Sequence, residues 1–308
     1  MESRAGAPLS RCEKRAVRAG SSFLTIGSGI ALLILSATLN HGSAAVMLCE
    51  LVVGGIAVVC GILQLWKGVS RFRWIAGLSA VWLLVTPLLF RAPNFWDYQG
   101  CTLLGALLII ASFIVSGIPG HASAPGAVVP PGWSFNPSAY GHRTMIIILA
   151  IAAFLAANYL ACFELGYLRS VWDPFFGSGT KAVLTSRISR AFPVPDAGLG
   201  AVVYLLDALV TGIGDQRRWC SAPWAVLLFA LLVAPAGIAA IVLVILQPLV
   251  VGSWCTLCLF ASGCMLGMVS LASYEVVACW QFLLSRRRAG KSLRRALFSG
   301  ETLDGRLV

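Results

Sequence analysis

Long apolar segments, each about as long as a membrane is thick, constrain this chain most. A helix needs roughly 20 apolar residues to cross the hydrocarbon core of a bilayer. Eight segments come near that length, and they cover residues 23–40, 44–66, 74–90, 100–118, 144–163, 197–213, 223–246 and 254–282. The composition agrees, because 58% of the residues are hydrophobic and 11% are charged, whereas a soluble domain has about 25% charged residues. The sequence therefore predicts an all-α polytopic membrane protein with about eight transmembrane helices.

The basic residues predict the orientation of these spans. Most Lys and Arg residues lie in segments that share one side of the membrane if both termini are on that side. Since cytoplasmic loops are enriched in Lys and Arg, we expect cytoplasmic termini and a C-x-x-C pair, Cys255 and Cys258, at the outer face. The net charge of +11 is then a topology signal, and nucleic acid is not an expected partner. We expect localisation in the inner (cell) membrane of a bacterium.

The first half contains an internal repeat. Residues 26–39 echo residues 76–89 at an offset of 50, and residues 51–55 echo residues 102–106 at an offset of 51. These echoes predict a helical hairpin that occurs twice within 23–118. Glycines in the repeat are expected to let helices approach closely. The segment Trp82–Pro87 resembles the SPW repeat, a bacterial membrane module of unknown activity, with Thr in place of the motif Ser.

A Pro/Gly-rich segment separates the two halves. Residues 119–143 contain Pro130-Pro131-Gly132 and many small residues, which predicts a linker on the cytoplasmic surface. The predicted regions are a basic cytoplasmic tail (1–22), the repeat region (23–118), the linker (119–143), a four-helix bundle (144–284) and a second basic tail (285–308). The second tail is expected to lie against anionic lipid headgroups.

Cys255 and Cys258 stand at the start of the last apolar segment. Two thiols at this spacing can form a disulfide within one helical turn, and the free N–H groups of a first turn favour the thiolate. At the water–lipid boundary, this suggests exchange between a disulfide and a lipid-soluble electron carrier. Cysteines also pack in apolar helices without any redox role, and eight of the 10 cysteines lie elsewhere. The spacing alone therefore leaves both interpretations open.

The predicted outer loop, residues 164–196, is long for a connection within a helical bundle. Loops of that length are usually functional or disordered, and the aromatic run Trp172–Gly177 argues against disorder. Asp196 ends the loop after Pro195. It can cap the next helix, or it can direct a carboxyl group into an outer cavity, where it would bond a ligand carbonyl if protonated.

Three acidic residues fall within predicted spans. Intramembrane acids are functional candidates by default. For Asp207 we favour an ion pair with Arg217 or Arg218, or snorkelling to the interface, whereas the sequence identifies no partner for Glu50 or Glu275. The three histidines, His41, His121 and His142, lie far apart and on different predicted sides, so no metal site is expected.

The second half resembles the vitamin K epoxide reductase family over residues 144–284. The resemblance rests on Val183–Arg187, on Pro195–Gly200 with Tyr204, and on the outer-face pair Cys255 and Cys258, in the family's order. It implies a four-helix bundle that holds a quinone and opens at the outer face. It also implies electron exchange between that quinone, of the ubiquinone or menaquinone type, and partner thiols. The expected partner is a thioredoxin-like thiol protein at the outer face.

The resemblance also implies roles for individual residues. Cys255 would be the more exposed cysteine, which exchanges with the partner, and Cys258 would face the quinone ring. Asp196 falls where the family has a polar residue that bonds a quinone oxygen, and Ser186 falls at the family's loop serine. Ser262 stands where the human-type enzymes carry a tyrosine, and we include it among the quinone-binding candidates.

One departure from the family bears on activity. Family members commonly relay electrons through a cysteine pair in the outer loop, and its second member should fall near Thr180. No cysteine occurs between Cys162 and Cys220. Either Cys255 exchanges directly with a partner, with Cys162 as the nearest substitute thiol, or the chain is a non-catalytic quinone- or lipid-binding scaffold. A transporter is a third alternative, but the sequence offers no midplane ion pair for it.

Overall fold

The computed structural model describes residues 11–38, 43–67, 71–115 and 129–299, and most of these residues are helical. No strand occurs in these ranges. The helices are α1 (Arg11–Thr38), α2 (Ala44–Lys67), α3 (Arg71–Leu89), α4 (Phe95–Ile109), α5 (Tyr140–Glu164), α6 (Gly179–Leu184), α7 (Asp196–Gly212), α8 (Arg218–Ser221), α9 (Pro223–Leu246), α10 (Thr256–Arg288) and α11 (Leu293–Ser299). A π-helical segment, Gln247–Val251, continues α9 toward the C-x-x-C pair.

The predicted all-α polytopic fold is confirmed. Within the described ranges, seven helices are long and apolar enough to cross a membrane. An eighth span results if Gly179–Ala191 and Asp196–Gly212, which meet at a bend of 87°, count as one. The last membrane-spanning helix, α10, runs for 33 residues to Arg288, beyond the predicted end at 282, because its final turns need no apolar environment.

The two N-terminal hairpins make the same close contact twice. A Cβ atom on Gly54 would lie 3.0 Å from the backbone oxygen of Gly29, and one on Gly105 would lie 3.3 Å from that of Ala80. Gly54 precedes Gly105 by 51 residues, as predicted, and Gly29 precedes Ala80 by the same 51 residues, one more than the offset of 50 predicted for that helix. The absent side chain lets α2 pack on α1 as α4 packs on α3, in agreement with the predicted repeat.

Equivalent positions of the repeat also meet each other. The Sγ atom of Cys101 donates a hydrogen bond to Oε1 of Glu50 at 3.2 Å, and both side chains are buried. Glu50 therefore has a partner that the sequence does not identify, since the contact joins two different hairpins.

Small side chains bring the helices of the C-terminal bundle together. Helices α5, α7, α9 and α10 share a core that contains Ala150, Ala153, Ala201, Phe229 and Met265. Alanines on α5 and α7 allow close packing of these two helices. The bundle forms the predicted four-helix unit, which begins at Tyr140 rather than at 144.

Two buried arginines stabilise the end of this bundle that is distant from the C-x-x-C pair. Arg218 donates to both carboxylate oxygens of Glu275, at 2.7 and 2.5 Å. Arg218 and Arg143 also donate to the last carbonyls of α7, those of Thr211 and Ile213. These carbonyls have no partners within the helix, so the guanidinium groups cap it.

Asp207 does not pair with an arginine as predicted. Its side chain is fully buried, and within the described part of the chain neither carboxyl oxygen accepts a hydrogen bond. The prediction is wrong because Arg218 points to Glu275 on α10. Glu275, for which the sequence identifies no partner, is the residue that holds the ion pair.

The described end of the predicted linker packs on the same end of the bundle. Trp133 donates to Gln281 at 2.8 Å, Asn136 donates to the carbonyl of Gln216 at 2.8 Å, and Ser138 bonds to Glu275. Residues 129–139 are therefore tied to α10, whereas residues 116–128 lie outside the described ranges.

Candidate functional site

The C-x-x-C pair forms the beginning of α10. Cys255 is the N-cap residue, and its Sγ atom accepts a hydrogen bond from the N–H of Cys258 at 3.1 Å. The two cysteines are joined by a disulfide, with their Cα atoms 5.2 Å apart. The N–H of Cys255 donates to Oε1 of Gln247 at 2.9 Å. Gln247, a buried residue that the sequence argument missed, thus ties the pair to the π-helical end of α9.

Cys255 is buried, and Cys258 is the more exposed of the two. Cys255 has 0% exposure and packs against Leu160 and Leu184. The expectation that Cys255 is the more exposed thiol is therefore wrong. The reason lies in residues 165–195, the covering loop, which fold over the start of α10. At Gly179 the approach is so close that a Cβ atom would lie 2.3 Å from the carbonyl oxygen of Trp254.

Asp173 fastens the covering loop to α10. Its Oδ1 accepts from the hydroxyl of Thr256 at 2.6 Å, and its Oδ2 accepts from the N–H and hydroxyl of Thr180 at 2.8 and 2.7 Å. We call Asp173, Thr180 and Thr256 the latch. Burial opposes ionisation, yet hydrogen bonds from Thr256, Phe176 and Thr180 hold the pKa of Asp173 well below its usual range. Thr180 stands near the position expected for the second relay cysteine, and here it holds the loop closed.

A cavity of about 450 Å³ lies beside the pair, between the helices of the C-terminal bundle. Its walls are mainly aliphatic, and its few polar groups include all but one of the candidates from the sequence: Ser186, Asp196, Cys258 and Ser262. The exception is Cys255, which is not among the lining residues. Tyr204 and Gln247 also line the cavity, and the Tyr204 hydroxyl donates to the carbonyl of Ala261 at 3.2 Å.

Two carboxyl groups meet at the loop end of the cavity. Oε1 of Glu164 lies 2.7 Å from the Ser189 hydroxyl oxygen, and Oδ1 of Asp196 lies 3.0 Å from the same atom. The N–H of Ala197 donates to both carboxyls, at 3.1 Å to Glu164 and 2.8 Å to Asp196. Asp196 is the first residue of α7, so it stabilises the start of the helix and also lines the cavity. The sequence argument did not identify Glu164, although an acidic residue at the end of an apolar span and beside a long loop can be recognised in the sequence.

Cys162 packs apart from the redox pair. It belongs to the core shared with the N-terminal helices, where Gln99 donates to its Sγ atom at 3.6 Å. Cys255 belongs to a separate cluster around Leu160. Because positions 160 and 162 face different sides of α5, Cys162 is not positioned as a substitute relay thiol.

The histidines do not gather at the site. His142 stacks on the ring of Phe135, whereas His41 and His121 lie outside the described ranges. Among the residues that the structure describes, no group of three or more His, Cys, Asp or Glu side chains is placed to hold a metal ion.

Comparison with known families assigns the C-terminal half. The model of the vitamin K epoxide reductase family matches residues 144–298, about half of the chain, and this range contains the cysteine pair, the covering loop and the cavity. The chain belongs to the vitamin K epoxide reductase family. Membership supports a membrane thiol oxidoreductase at the level of the family. No curated protein and no solved structure matched the chain.

Proposed function

We propose that this protein is a membrane thiol–disulfide oxidoreductase in which Cys255 and Cys258 exchange two electrons with a quinone bound in the cavity. The observation that carries the proposal is the position of Cys258, which lines the cavity and is bonded to Cys255. Closure of the disulfide removes two electrons and two protons from the dithiol. A quinone supplies a two-electron acceptor, and its hydroquinone is the corresponding donor for the reverse direction.

The cavity suits a quinone in size and in the arrangement of its polar groups. Its volume of about 450 Å³ lies within the range of roughly 300–1,000 Å³ that holds small ligands. Aliphatic walls match a hydrocarbon ring and tail, and Asp196, Ser186 and Ser262 offer hydrogen bonds to ring oxygens. We propose these three side chains as the quinone-binding residues, for a ligand of the ubiquinone or menaquinone type.

The cavity also has a lateral opening that suits a lipid-soluble ligand. Leu199 of α7 and Leu231 of α9 line it, yet they are 39% and 70% exposed on the outer surface of the bundle. In a membrane that surface faces lipid. A quinone dissolved in the bilayer can therefore enter between α7 and α9 without crossing water.

The partner thiol must reach Cys255 through the covering loop. Cys255 exchanges directly with a thioredoxin-like protein at the outer face, because the covering loop carries no relay cysteine. Since the covering loop buries Cys255, exchange requires the covering loop to open first.

We also propose the location and the domain division of the protein. Its termini are cytoplasmic and it resides in a bacterial cell membrane. The chain is divided into a repeat region (23–118) and a redox bundle (144–284).

A second candidate function is a non-catalytic scaffold that binds a quinone or a lipid in the same cavity. Two observations favour it: Thr180 stands near the expected position of the relay cysteine, and Cys255 is fully buried. The scaffold predicts that the redox state of the two cysteines does not follow the quinone pool.

Thiol trapping distinguishes the two functions. Membranes that contain the protein are treated with a reductant, washed, supplied with a quinone, quenched with acid and then treated with a thiol-alkylating reagent in denaturant, so that buried thiols also react. The oxidoreductase predicts that Cys255 and Cys258 become resistant to alkylation after quinone addition. Cys264→Ser, which removes another cysteine of α10, is the matched control and should leave this change intact, whereas Cys258→Ser abolishes it. Thiols that stay reduced after quinone addition would support the scaffold.

A further inference from the structure

The carboxyl pair at the loop end of the cavity has too few hydrogen-bond donors for two negative charges. Glu164 and Asp196 share the Ser189 hydroxyl and the Ala197 N–H, which hold the two carboxyl groups side by side. A hydroxyl carries a single hydrogen, so it cannot make a full donated bond to both carboxyls. Within the described residues neither carboxyl forms a salt bridge. A proton between them satisfies this geometry, because an ionised carboxylate can only accept.

From this geometry we infer that Glu164 and Asp196 share one proton and that this proton is delivered to a carbonyl oxygen of the ligand in the cavity. The inference rests on the proposed function. Asp196 lines the cavity and can touch the ligand, whereas Glu164 is not among the lining residues. Asp196 is thus the donor, and Glu164 is a positioning residue that keeps the proton available to it.

The step balances with the redox chemistry of the cysteines. Two S–H bonds break and one S–S bond forms, which releases two electrons and two protons from Cys255 and Cys258. The electrons go to the quinone and the two thiol protons go to water, while Asp196 protonates one ring oxygen and water protonates the other. The pair recovers its proton from water, since both carboxyls are only partly buried. In the reverse direction the pair accepts a proton from the hydroquinone.

The other ionisable side chains around the pair come from α4 and from the covering loop. Tyr98 of α4 interacts electrostatically with Glu164. The charged side chains Arg187 and Arg190 of the covering loop are exposed and point to water.

Infrared spectroscopy of the purified protein tests the shared proton without any ligand. A protonated carboxyl absorbs separately from a carboxylate, and a shared proton requires both partners. Glu164→Gln and Asp196→Asn should therefore each remove the same band, and the double variant should remove no more than either. If the band persists in one of the single variants, the proton belongs to one carboxyl alone, and the inference is overturned. Asp207→Asn, at a buried acid of the same helix, is the control and should leave this band in place.

Kinetics tests the delivery. General acid catalysis contributes on the order of 10²–10⁴-fold, so Glu164→Gln should slow the reduction of a soluble short-chain ubiquinone by at least about tenfold. The same variant should still close its disulfide with a chemical thiol oxidant, and Glu164→Asp should recover part of the rate.

An unchanged rate and pH profile in Glu164→Gln would refute the inference about the shared proton but not the proposed function. A failure of the proposed function itself would give a different result: the wild-type protein would not reduce the quinone, or the Cys258→Ser variant would be fully active. If Glu164→Gln does not fold, Ser189→Ala removes the shared hydroxyl and carries the same expectation for rate and pH profile.

Discussion

The latch makes a quantitative prediction about access to Cys255. In Asp173→Asn an amide replaces the carboxylate, and its NH₂ group cannot accept the two hydrogen bonds that Thr180 donates to Oδ2 at 2.8 and 2.7 Å. These two bonds lie within the covering loop, whereas the bond from Thr256 to Oδ1 joins the loop to α10; that bond remains but loses the assistance of a negative charge. A hydrogen bond to a charged group contributes about 1.5–3 kcal/mol and one between neutral groups about 1 kcal/mol, so the closed loop should lose about 1 kcal/mol of stability relative to the open loop. This corresponds to an increase of roughly fivefold in the open population, since 1.4 kcal/mol is a factor of ten.

Alkylation of Cys255 measures that population directly. The assay uses a Cys258→Ser background, which leaves Cys255 as a free thiol, and peptide mass spectrometry separates it from the other cysteines. When the loop opens and closes faster than the reagent reacts, the rate follows the open population. We expect Asp173→Asn to raise the rate by roughly fivefold. Thr185→Ala, which removes a hydrogen bond within the covering loop that does not reach α10, is the control and should change little.

An unchanged rate in a folded Asp173→Asn protein would refute this reasoning. It would mean that apolar packing of Leu160 and Leu184 on Cys255, rather than the latch, keeps the thiol covered.

Three further predictions follow from the same contacts. The pKa of Asp173 is lower in the folded protein than in the unfolded chain, so its contribution to the stability of the closed loop is present above the unfolded value near 4 and is lost only as the pH falls below that value. The protection of Cys255 from alkylation, corrected for the intrinsic reactivity of the thiol, should therefore be constant from about pH 5 to 8. Gly179→Ala places a Cβ atom 2.3 Å from the Trp254 carbonyl and should raise Cys255 alkylation as Asp173→Asn does, whereas Gly263→Ala, in open space, should not. Glu275→Gln leaves the buried charge of Arg218 without its partner and should lower the free energy of unfolding by about 3–5 kcal/mol, as denaturant titration would measure; an unchanged free energy of unfolding would contradict this.

The sequence predicts the spans because membrane thickness is a strong local constraint. An apolar segment of sufficient length has few alternatives to a transmembrane helix, and each predicted span corresponds to a helix of the structure. The boundaries shift where polar residues continue a helix, as in α1, which begins at Arg11 although the apolar segment begins near 23. The position of the C-x-x-C pair at the start of a helix can also be predicted, because it too follows from the local sequence.

The environment of the cysteine pair could not be predicted, because contacts between distant residues create it. The bond between Asp173 and Thr256 joins positions 83 residues apart, and it ties the covering loop to the start of α10, beside Cys255. The carboxyl pair likewise depends on a bond between Glu164 and Ala197, 33 residues apart. Hydropathy and motif spacing describe neighbours along the chain, so they carry no information about which loop covers a thiol.

Stoichiometry is the most direct test of the central claim, that Cys255 and Cys258 exchange electrons with a quinone in the cavity. Purified protein with both thiols reduced is mixed without oxygen with a soluble ubiquinone, and disulfide and hydroquinone are quantified together. The account predicts one hydroquinone for each Cys255–Cys258 disulfide formed, and none from the Cys258→Ser variant. Hydroquinone that forms equally well with Cys258→Ser, or a dithiol that persists in excess quinone, would contradict it.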